Sequence, residues 1–168
     1  MKKIKILLFL ISIGIFTGCG YYKFTGITVP AGTTTYQVNY FQNDAPLIEP
    51  GLERTFTNAL ADIIQNQTSL QLVTSGADIT YEGEIVEYRI SPTSATADNT
   101  AAQNRLTIGV RVRYFEKNNP DNDLNQTFSF FYDYPGTAQL VGAQKDVAIT
   151  EILERITQDI LNATLAKW

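Results

Sequence analysis

The strictest pattern in this 168-residue chain is an alternation of apolar and polar side chains between Arg105 and Phe115. The apolar positions of that segment are Leu106, Ile108, Val110, Val112 and Tyr114. Alternation with a period of two predicts a β-strand that buries one face and exposes the other. We therefore expect a sheet that is covered on one side only.

Other segments supply the neighbouring strands. Residue composition predicts further strands at Thr33–Phe41, Leu70–Thr74, Ile79–Ser91 and Gln126–Tyr134. The apolar positions of Ile79–Ser91 change parity near Gly83–Val86, and such a change predicts a β-bulge. The segment Pro92–Gln103 is polar and rich in Ala and Thr, and we predict a loop there.

Two amphipathic helices complete the predicted fold, because apolar residues recur at spacings of three and four in two segments. One helix begins near Pro50 and ends near Gln67, and the other runs from Lys145 to Leu165. The short segment Leu70–Thr74 is expected to merge with the strand that follows it. We predict an α+β two-layer sandwich, with two helices packed on one face of a mostly antiparallel four-stranded sheet. Residues 33–168 are predicted to form this single domain.

The only cysteine of the chain, Cys19, indicates a membrane anchor. Three lysines and an apolar run, Ile6–Phe16, precede it, and Gly18 supplies the small residue typical of a signal-peptide cleavage site. The run is 11 residues long, whereas a membrane-spanning helix needs about 17–25. We predict a lipoprotein signal peptide at 1–18, a diacylglycerol and an N-acyl chain on Cys19, and a tether over 19–32. The alternative is an ordinary cleaved signal peptide with an incidental thiol.

Composition excludes several kinds of chemistry. Removal of the signal peptide lowers the count of basic residues from 13 to 10 against 17 acidic residues, and the net charge changes from −4 to −7. A chain this acidic is a poor ligand for nucleic acid. The sequence has no histidine and no second cysteine, which excludes internal disulfides, the usual zinc sites and histidine-based catalysis. We predict a protein that is not an enzyme and has no metal or cofactor besides its covalent lipid.

Two pairs of carboxylates are the remaining candidates for catalysis. Glu82 and Glu84 share one face of a strand, and Glu151 and Glu154 share one face of a helix. Either pair has the composition for acid–base work, but charged side chains are mostly exposed to solvent. We favour solvated surface, with a lipid-anchored hydrolase that uses Glu82 or Glu84 as a competing hypothesis.

Arginines are concentrated on the polar face of the alternating strand. Arg105, Arg111 and Arg113 point the same way, and Gly109 leaves a gap between them. Guanidinium groups suit bidentate recognition of phosphate, so these three are candidate phosphate contacts. Arg89 joins the group if its strand is adjacent. The alternative is pairing with acidic residues across the sheet, namely Glu82, Glu84 and Glu87.

The strand Gln126–Tyr134 carries an aromatic row. Four aromatic residues share one of its faces, namely Phe128, Phe130, Tyr132 and Tyr134. An exposed row of this kind suits a protein interface, but burial in the core is the interpretation that we favour. Phe131, which points the other way, is then the exposed aromatic residue.

The chain resembles the LptE type of lipopolysaccharide-assembly lipoprotein. The resemblance is spread over nearly all of the mature chain, in Cys19–Gly26, Val38–Pro46, Leu52–Leu60, Tyr81–Ile85, Ala102–Ile108 and Asn162–Trp168. It implies a fold of two helices on a four-stranded sheet and a place on the periplasmic side of the outer membrane. It also implies association with an LptD-type β-barrel, as a plug in the lumen, during assembly of lipopolysaccharide into the outer leaflet.

These implications define the functional expectation. The predicted partners are the LptD-type barrel, lipopolysaccharide and the outer membrane, and nucleic acid is not among them. The arginine face, Arg105, Arg111 and Arg113, becomes a candidate contact for lipopolysaccharide phosphates. The competing hypothesis is a generic periplasm-facing lipoprotein that scaffolds another barrel or a secretion machine.

Overall fold

A computed structural model describes residue 27 and residues 29–95 and 101–166. The predicted signal peptide, Cys19 and most of the tether lie outside the described residues. The elements of the described part are β1 (Thr35–Val38), β2 (Gln42–Asn43), α1 (Leu52–Gln67), β3 (Gln71–Leu72), β4 (Ile79–Ala95), β5 (Ala101–Glu116), β6 (Leu124–Pro135) and α2 (Gly142–Leu165).

The strands form one mixed sheet in the order β3-β1-β4-β5-β6, with β2 also paired to β4. β4, β5 and β6 are antiparallel, whereas β1 runs parallel to both β3 and β4 and β2 runs parallel to β4. The predicted α+β class is confirmed, and the prediction of four mostly antiparallel strands is wrong. Parallel pairing arises because α1 carries the chain from β1 back to the same end of the sheet before β3 begins.

The predicted strand Thr33–Phe41 is shorter in the structure, and a separate two-residue strand, β2, follows it. β1 ends at Val38, and the buried side chain of Phe41 leaves the sheet to contact the ring of Phe56 on α1. The amide of Phe41 donates to the hydroxyl of Thr57 instead of to a neighbouring strand. Contacts with the helix therefore interrupt the ladder and separate β1 from β2.

The described part of the predicted loop Pro92–Gln103 is strand, and residues 96–100 lie outside the described residues. β4 continues to Ala95 and β5 begins at Ala101, with Pro92 opposite Asn104 and a register shift between Pro92 and Ser94. Pro92 and Gln103 are exposed. The polar composition of these two strand ends is compatible with continued pairing.

The predicted bulge lies at Val86. Ile85 pairs with Val110 and Glu87 pairs with Gly109, so Val86 is the extra residue. The bulge returns Tyr88 to the buried face after the change in parity, which is the physical role of an inserted residue in a strand.

Both helices pack on one face of the sheet around a single core. Tyrosine hydroxyls join the two layers, since Tyr36 donates to the carbonyl of Ala61 on α1 at 2.9 Å and Tyr81 lies 2.9 Å from the hydroxyl of Thr164 on α2. Burial raises the pKa of Tyr81. Satisfied hydroxyls of this kind allow large aromatic side chains to fill the core without an unpaired polar atom.

The aromatic face of β6 belongs to this core, as predicted. Phe128 and Tyr134 are buried, and Phe130 and Tyr132 are partly buried against the helices. Phe131 points away from the helices and is 40% exposed.

The entry of the chain into β1 is fixed by Asp78. Its carboxylate accepts hydrogen bonds from the backbone amides of Thr34 and Thr35, at 2.9 and 3.1 Å, and from both threonine hydroxyls. The backbone amide of Thr34, the hydroxyl and amide of Thr35 and the hydroxyl of Thr34 lower the pKa of Asp78 to about 2. The tether therefore leaves the domain at a defined point.

Substitution of Gly83 is expected to disrupt the sheet. A Cβ atom there would lie 2.0 Å from the carbonyl oxygen of Arg111 and 2.8 Å from the ring of Phe41. We expect Gly83→Ala to lower the free energy of unfolding by about 3 kcal/mol or more, as overpacking and backbone strain combine. Urea denaturation followed by circular dichroism measures this change. Gly76→Ala is the control, because Gly76 also has a positive φ but no atom within 4 Å of an added Cβ; equal losses for both variants would refute the clash.

Loss of the Asp78 carboxylate is expected to make stability less dependent on pH. A depressed carboxyl pKa stabilises the fold above the unfolded value of about 3.9, and this contribution disappears as the pH falls towards 2. We expect Asp78→Asn to have a lower free energy of unfolding than wild type at pH 7, with a difference that shrinks between about pH 4 and pH 2. Denaturation curves measured across this pH range test the expected difference. Asp62→Asn, on the exposed side of α1, is the control. A difference that is constant with pH would contradict the assignment.

Candidate functional site: the open face of the sheet

The face of the sheet opposite the helices carries the three predicted arginines, and we call it the open face. Arg105 donates to both carboxylate oxygens of Asp133, at 2.7 and 2.8 Å, and its guanidinium lies 3.6 Å from the ring centroid of Phe131. The hydrogen bonds from Arg105 lower the pKa of Asp133. Asp133 lies opposite Arg105 in the register of β5 and β6, so strand pairing alone brings the two together.

The other two arginines pair with β4. Arg111 donates to Glu84 at 3.1 Å, and Arg113 donates to Glu82 at 3.0 Å and to Glu84 at 3.2 Å. The register places Glu82 opposite Arg113 and Glu84 opposite Arg111. Pairing with acidic residues across the sheet, the alternative that the sequence left open, therefore describes Arg111 and Arg113.

Arg89 joins the same face. It lies opposite Thr107 on the adjacent strand and donates to Glu87 at 2.9 Å. The gap predicted at Gly109 is occupied by Glu87, whose Cβ would lie 3.1 Å from a Cβ built on the glycine. Glycine thus allows an acidic side chain to lie between the arginines.

The open face is electrically balanced. Four arginines meet four carboxylates, namely Arg89, Arg105, Arg111 and Arg113 with Glu82, Glu84, Glu87 and Asp133. Each pair is partly exposed to solvent, and pairs of this kind contribute about 0–1 kcal/mol each. A phosphate that binds here must displace a carboxylate from its arginine.

The candidate carboxylate pair of this face, Glu82 and Glu84, is engaged in ion pairs. Glu82 and Glu84 border a shallow depression of about 320 Å³ with Asn39, Tyr40 and Arg113 among its neighbours, and both carboxylates are engaged by arginines. Among the described residues, no three His, Cys, Asp or Glu side chains are grouped so that they could bind a metal ion. The second carboxylate pair, Glu151 and Glu154, is exposed on α2.

A second feature was missed by the sequence patterns. An apolar groove of about 570 Å³ lies between the loop at Pro46–Leu47 and the β4 segment at Val86–Ile90. Tyr88, which lines the groove, donates to Glu49 at 3.3 Å, and Glu49 also accepts a hydrogen bond from Lys145 at 2.6 Å. Burial and the neighbouring Glu49 carboxylate raise the pKa of Tyr88 to about 12. Leu47 and Ile48 lie between β2 and α1 in a segment without periodicity, so no sequence signal marks their exposure.

Solved structures of bacterial proteins share this fold at low sequence identity. Uncharacterized lipoprotein B from Nitrosomonas europaea is 15% identical with a TM-score of 0.55, and the match covers 86% of this chain and 88% of that one. Rare lipoprotein B from Shewanella oneidensis is 11% identical with a TM-score of 0.54, over 76% of this chain and 92% of that one. A hypothetical protein from Chlamydia trachomatis is 11% identical with a TM-score of 0.55, over 80% of this chain and 99% of that one. These similarities describe the fold alone.

Three findings bear on the identity of the chain. No curated protein is significantly similar to it in sequence. Neither helix in the described part of the chain has the length and apolar character to cross a bilayer. The family model LptE, described as lipopolysaccharide-assembly, matches residues 33–164, which is nearly the whole folded domain, and the chain therefore belongs to the LptE lipopolysaccharide-assembly family.

Proposed function

We propose that this protein is an outer-membrane lipoprotein that associates with an LptD-type β-barrel as a plug and assists assembly of lipopolysaccharide into the outer leaflet. The observation that carries the proposal is the family match over residues 33–164. The proposed role is one of binding and positioning, not catalysis.

The surface of the domain is compatible with a barrel lumen. Lumen-facing side chains of outer-membrane barrels are polar, and the open face presents balanced pairs of opposite charge. Side chains of this kind can exchange partners with a polar wall at little cost in free energy. A face whose charged side chains are paired with opposite charges thus suits a plug that packs against the polar wall of a barrel lumen.

The anchor and the Asp78 contacts together determine where the domain lies. Two or three acyl chains on Cys19 hold a mature lipoprotein stably, whereas one chain binds reversibly. The tether leads into Thr34 and Thr35, whose backbone amides donate hydrogen bonds to Asp78. We propose that the lipid holds the domain on the periplasmic side of the outer membrane and that the tether sets its reach into the barrel.

Co-purification tests the proposed partner. The full-length chain carries an affinity tag after Trp168 and is extracted from outer membranes with mild detergent. We expect an LptD-type barrel to co-purify in near-equal amount, and we expect Cys19→Ala to shift the chain out of the membrane fraction and reduce the recovered barrel. Mass spectrometry that identifies a different barrel or a secretion machine would instead support the generic scaffold.

Contact between lipopolysaccharide phosphates and Arg105, Arg111 and Arg113 remains a prediction, and the ion pairs suggest a two-sided test. We expect the triple alanine variant to weaken binding of purified lipopolysaccharide to the full-length protein by at least about tenfold, or about 1.4 kcal/mol. A second variant replaces the carboxylates that occupy these arginines, as Glu82→Gln, Glu84→Gln and Asp133→Asn. It is expected to bind more tightly, because the guanidinium groups are freed.

Arg54→Ala on α1 is the control for this measurement, because Arg54 lies outside the open face. Thermal unfolding is measured alongside, and only small shifts are expected for exposed ion pairs. Unchanged lipopolysaccharide binding in both triple variants, together with unchanged outer-membrane integrity, would remove these arginines from the proposed mechanism.

A further inference from the structure

The outer edge of β4 is unpaired beyond its bulge. β1 and β2 pair with β4 only between Ile79 and Ile85, and the last bond on this side runs from the amide of Asp44 to the carbonyl of Ile85 at 2.9 Å. From Glu87 to Ser91, β4 pairs with β5 alone in the part of the chain that the structure describes. A free edge presents backbone donors and acceptors that pair readily with another extended chain.

The apolar groove lies directly against this edge. Its lining is Pro46, Leu47, Val86, Glu87, Tyr88, Arg89 and Ile90. Leu47 is 53% exposed and Ile90 45% exposed, and the adjacent Ile48 is 62% exposed. Exposed apolar side chains that border a groove mark interaction sites more often than isolated ones do. Tyr88, one of the lining residues, donates to Glu49, which also pairs with Lys145 on α2.

The charges of the groove define the chemistry of its occupant. Glu87 and Arg89 neutralise each other at 2.9 Å, and the other lining side chains are uncharged. A neutral apolar groove on a mature chain of net charge −7 is complementary to an uncharged segment, whereas a basic partner would be drawn to the acidic surface elsewhere. A strand edge beside an apolar groove is the arrangement that binds an extended peptide, through main-chain hydrogen bonds and alternate side chains.

We propose that the barrel partner contributes an extended, uncharged segment that adds as a strand to the outer edge of β4 at Glu87–Ser91 and places alternate apolar side chains in the groove. This inference rests on the proposed function, because a domain anchored beside a barrel meets that barrel before any other protein. It adds a site at the edge of the sheet, which shares only the paired Glu87 and Arg89 with the open face.

Site-specific crosslinking tests the identity of the occupant. A photoreactive benzoylphenylalanine replaces Ile90 or Leu47 in the full-length chain in outer membranes, and Leu72 on β3, which is 50% exposed, is the matched control. We expect both groove positions to crosslink to one contiguous segment of the barrel, and Leu72 not to reach that segment. Adducts with a second copy of the chain or with lipid alone, or the absence of a barrel adduct, would overturn the proposal.

Amide hydrogen exchange tests strand addition. In the purified complex, exchange at Glu87–Ser91 is expected to slow at least tenfold relative to the free protein, while Gln71–Leu72 is unchanged. If the partner made only side-chain contacts, backbone amide exchange at Glu87–Ser91 would be unaltered. That result would refute the addition of a strand to β4.

The variant Ile90→Lys separates this proposal from the proposed function. We expect it to retain the circular dichroism spectrum and Tm of wild type, because Ile90 is partly exposed, and to recover several-fold less barrel than Leu72→Lys. Equal recovery with Ile90→Lys and Leu72→Lys would refute the groove while the association stands. Absence of the barrel from the wild-type preparation would refute both.

Discussion

The antiparallel pairing of β4 with β5 is the interaction on which the rest of the structure depends. β1 and β2 pair with β4, β6 pairs with β5, and both helices pack on the face that these two strands share. The pairing requires glycine at position 83, because a side chain there would clash with the backbone of Arg111, and it accommodates Val86 as an unpaired bulge residue. A single register then fixes the core on one side and the order of charges on the other, since a slip of one residue would exchange the two faces.

The two faces of the sheet consequently differ in how much they contribute to stability. The core face buries tyrosines whose hydroxyls bond to both helices, and its disruption costs several kcal/mol per large side chain. The open face holds exposed ion pairs, of about 0–1 kcal/mol each. Side chains on the open face can therefore change partners without threatening the fold, which is the property that a plug in a polar lumen or a transient phosphate contact requires.

Long periodic segments were predictable from the sequence, and short or aperiodic ones were not. Period-two patterns predicted the strand that contains Tyr114. They also predicted the bulge at Val86 and the exposure of Phe131. β2 and β3 have two residues each, too few to show a period, so the mixed topology was missed. The arginine face was predictable from spacing, but its pairing with Asp133 depended on the register between strands, and the groove beside Leu47 depended on where a loop lies.

The distribution of charge gives the domain two unlike sides. The open face is neutral, whereas the helices carry six acidic residues against three basic ones, namely Glu53, Asp62, Asp146, Glu151, Glu154 and Asp159 against Arg54, Lys145 and Arg155. Much of the surplus negative charge of the mature chain therefore lies on the helical layer. Because like charges repel within a Debye length of about 8–10 Å, this layer would be kept from the anionic phosphates of lipopolysaccharide. The neutral open face and the groove at Ile90, whose charged lining residues are the paired Glu87 and Arg89, carry no such surplus of negative charge.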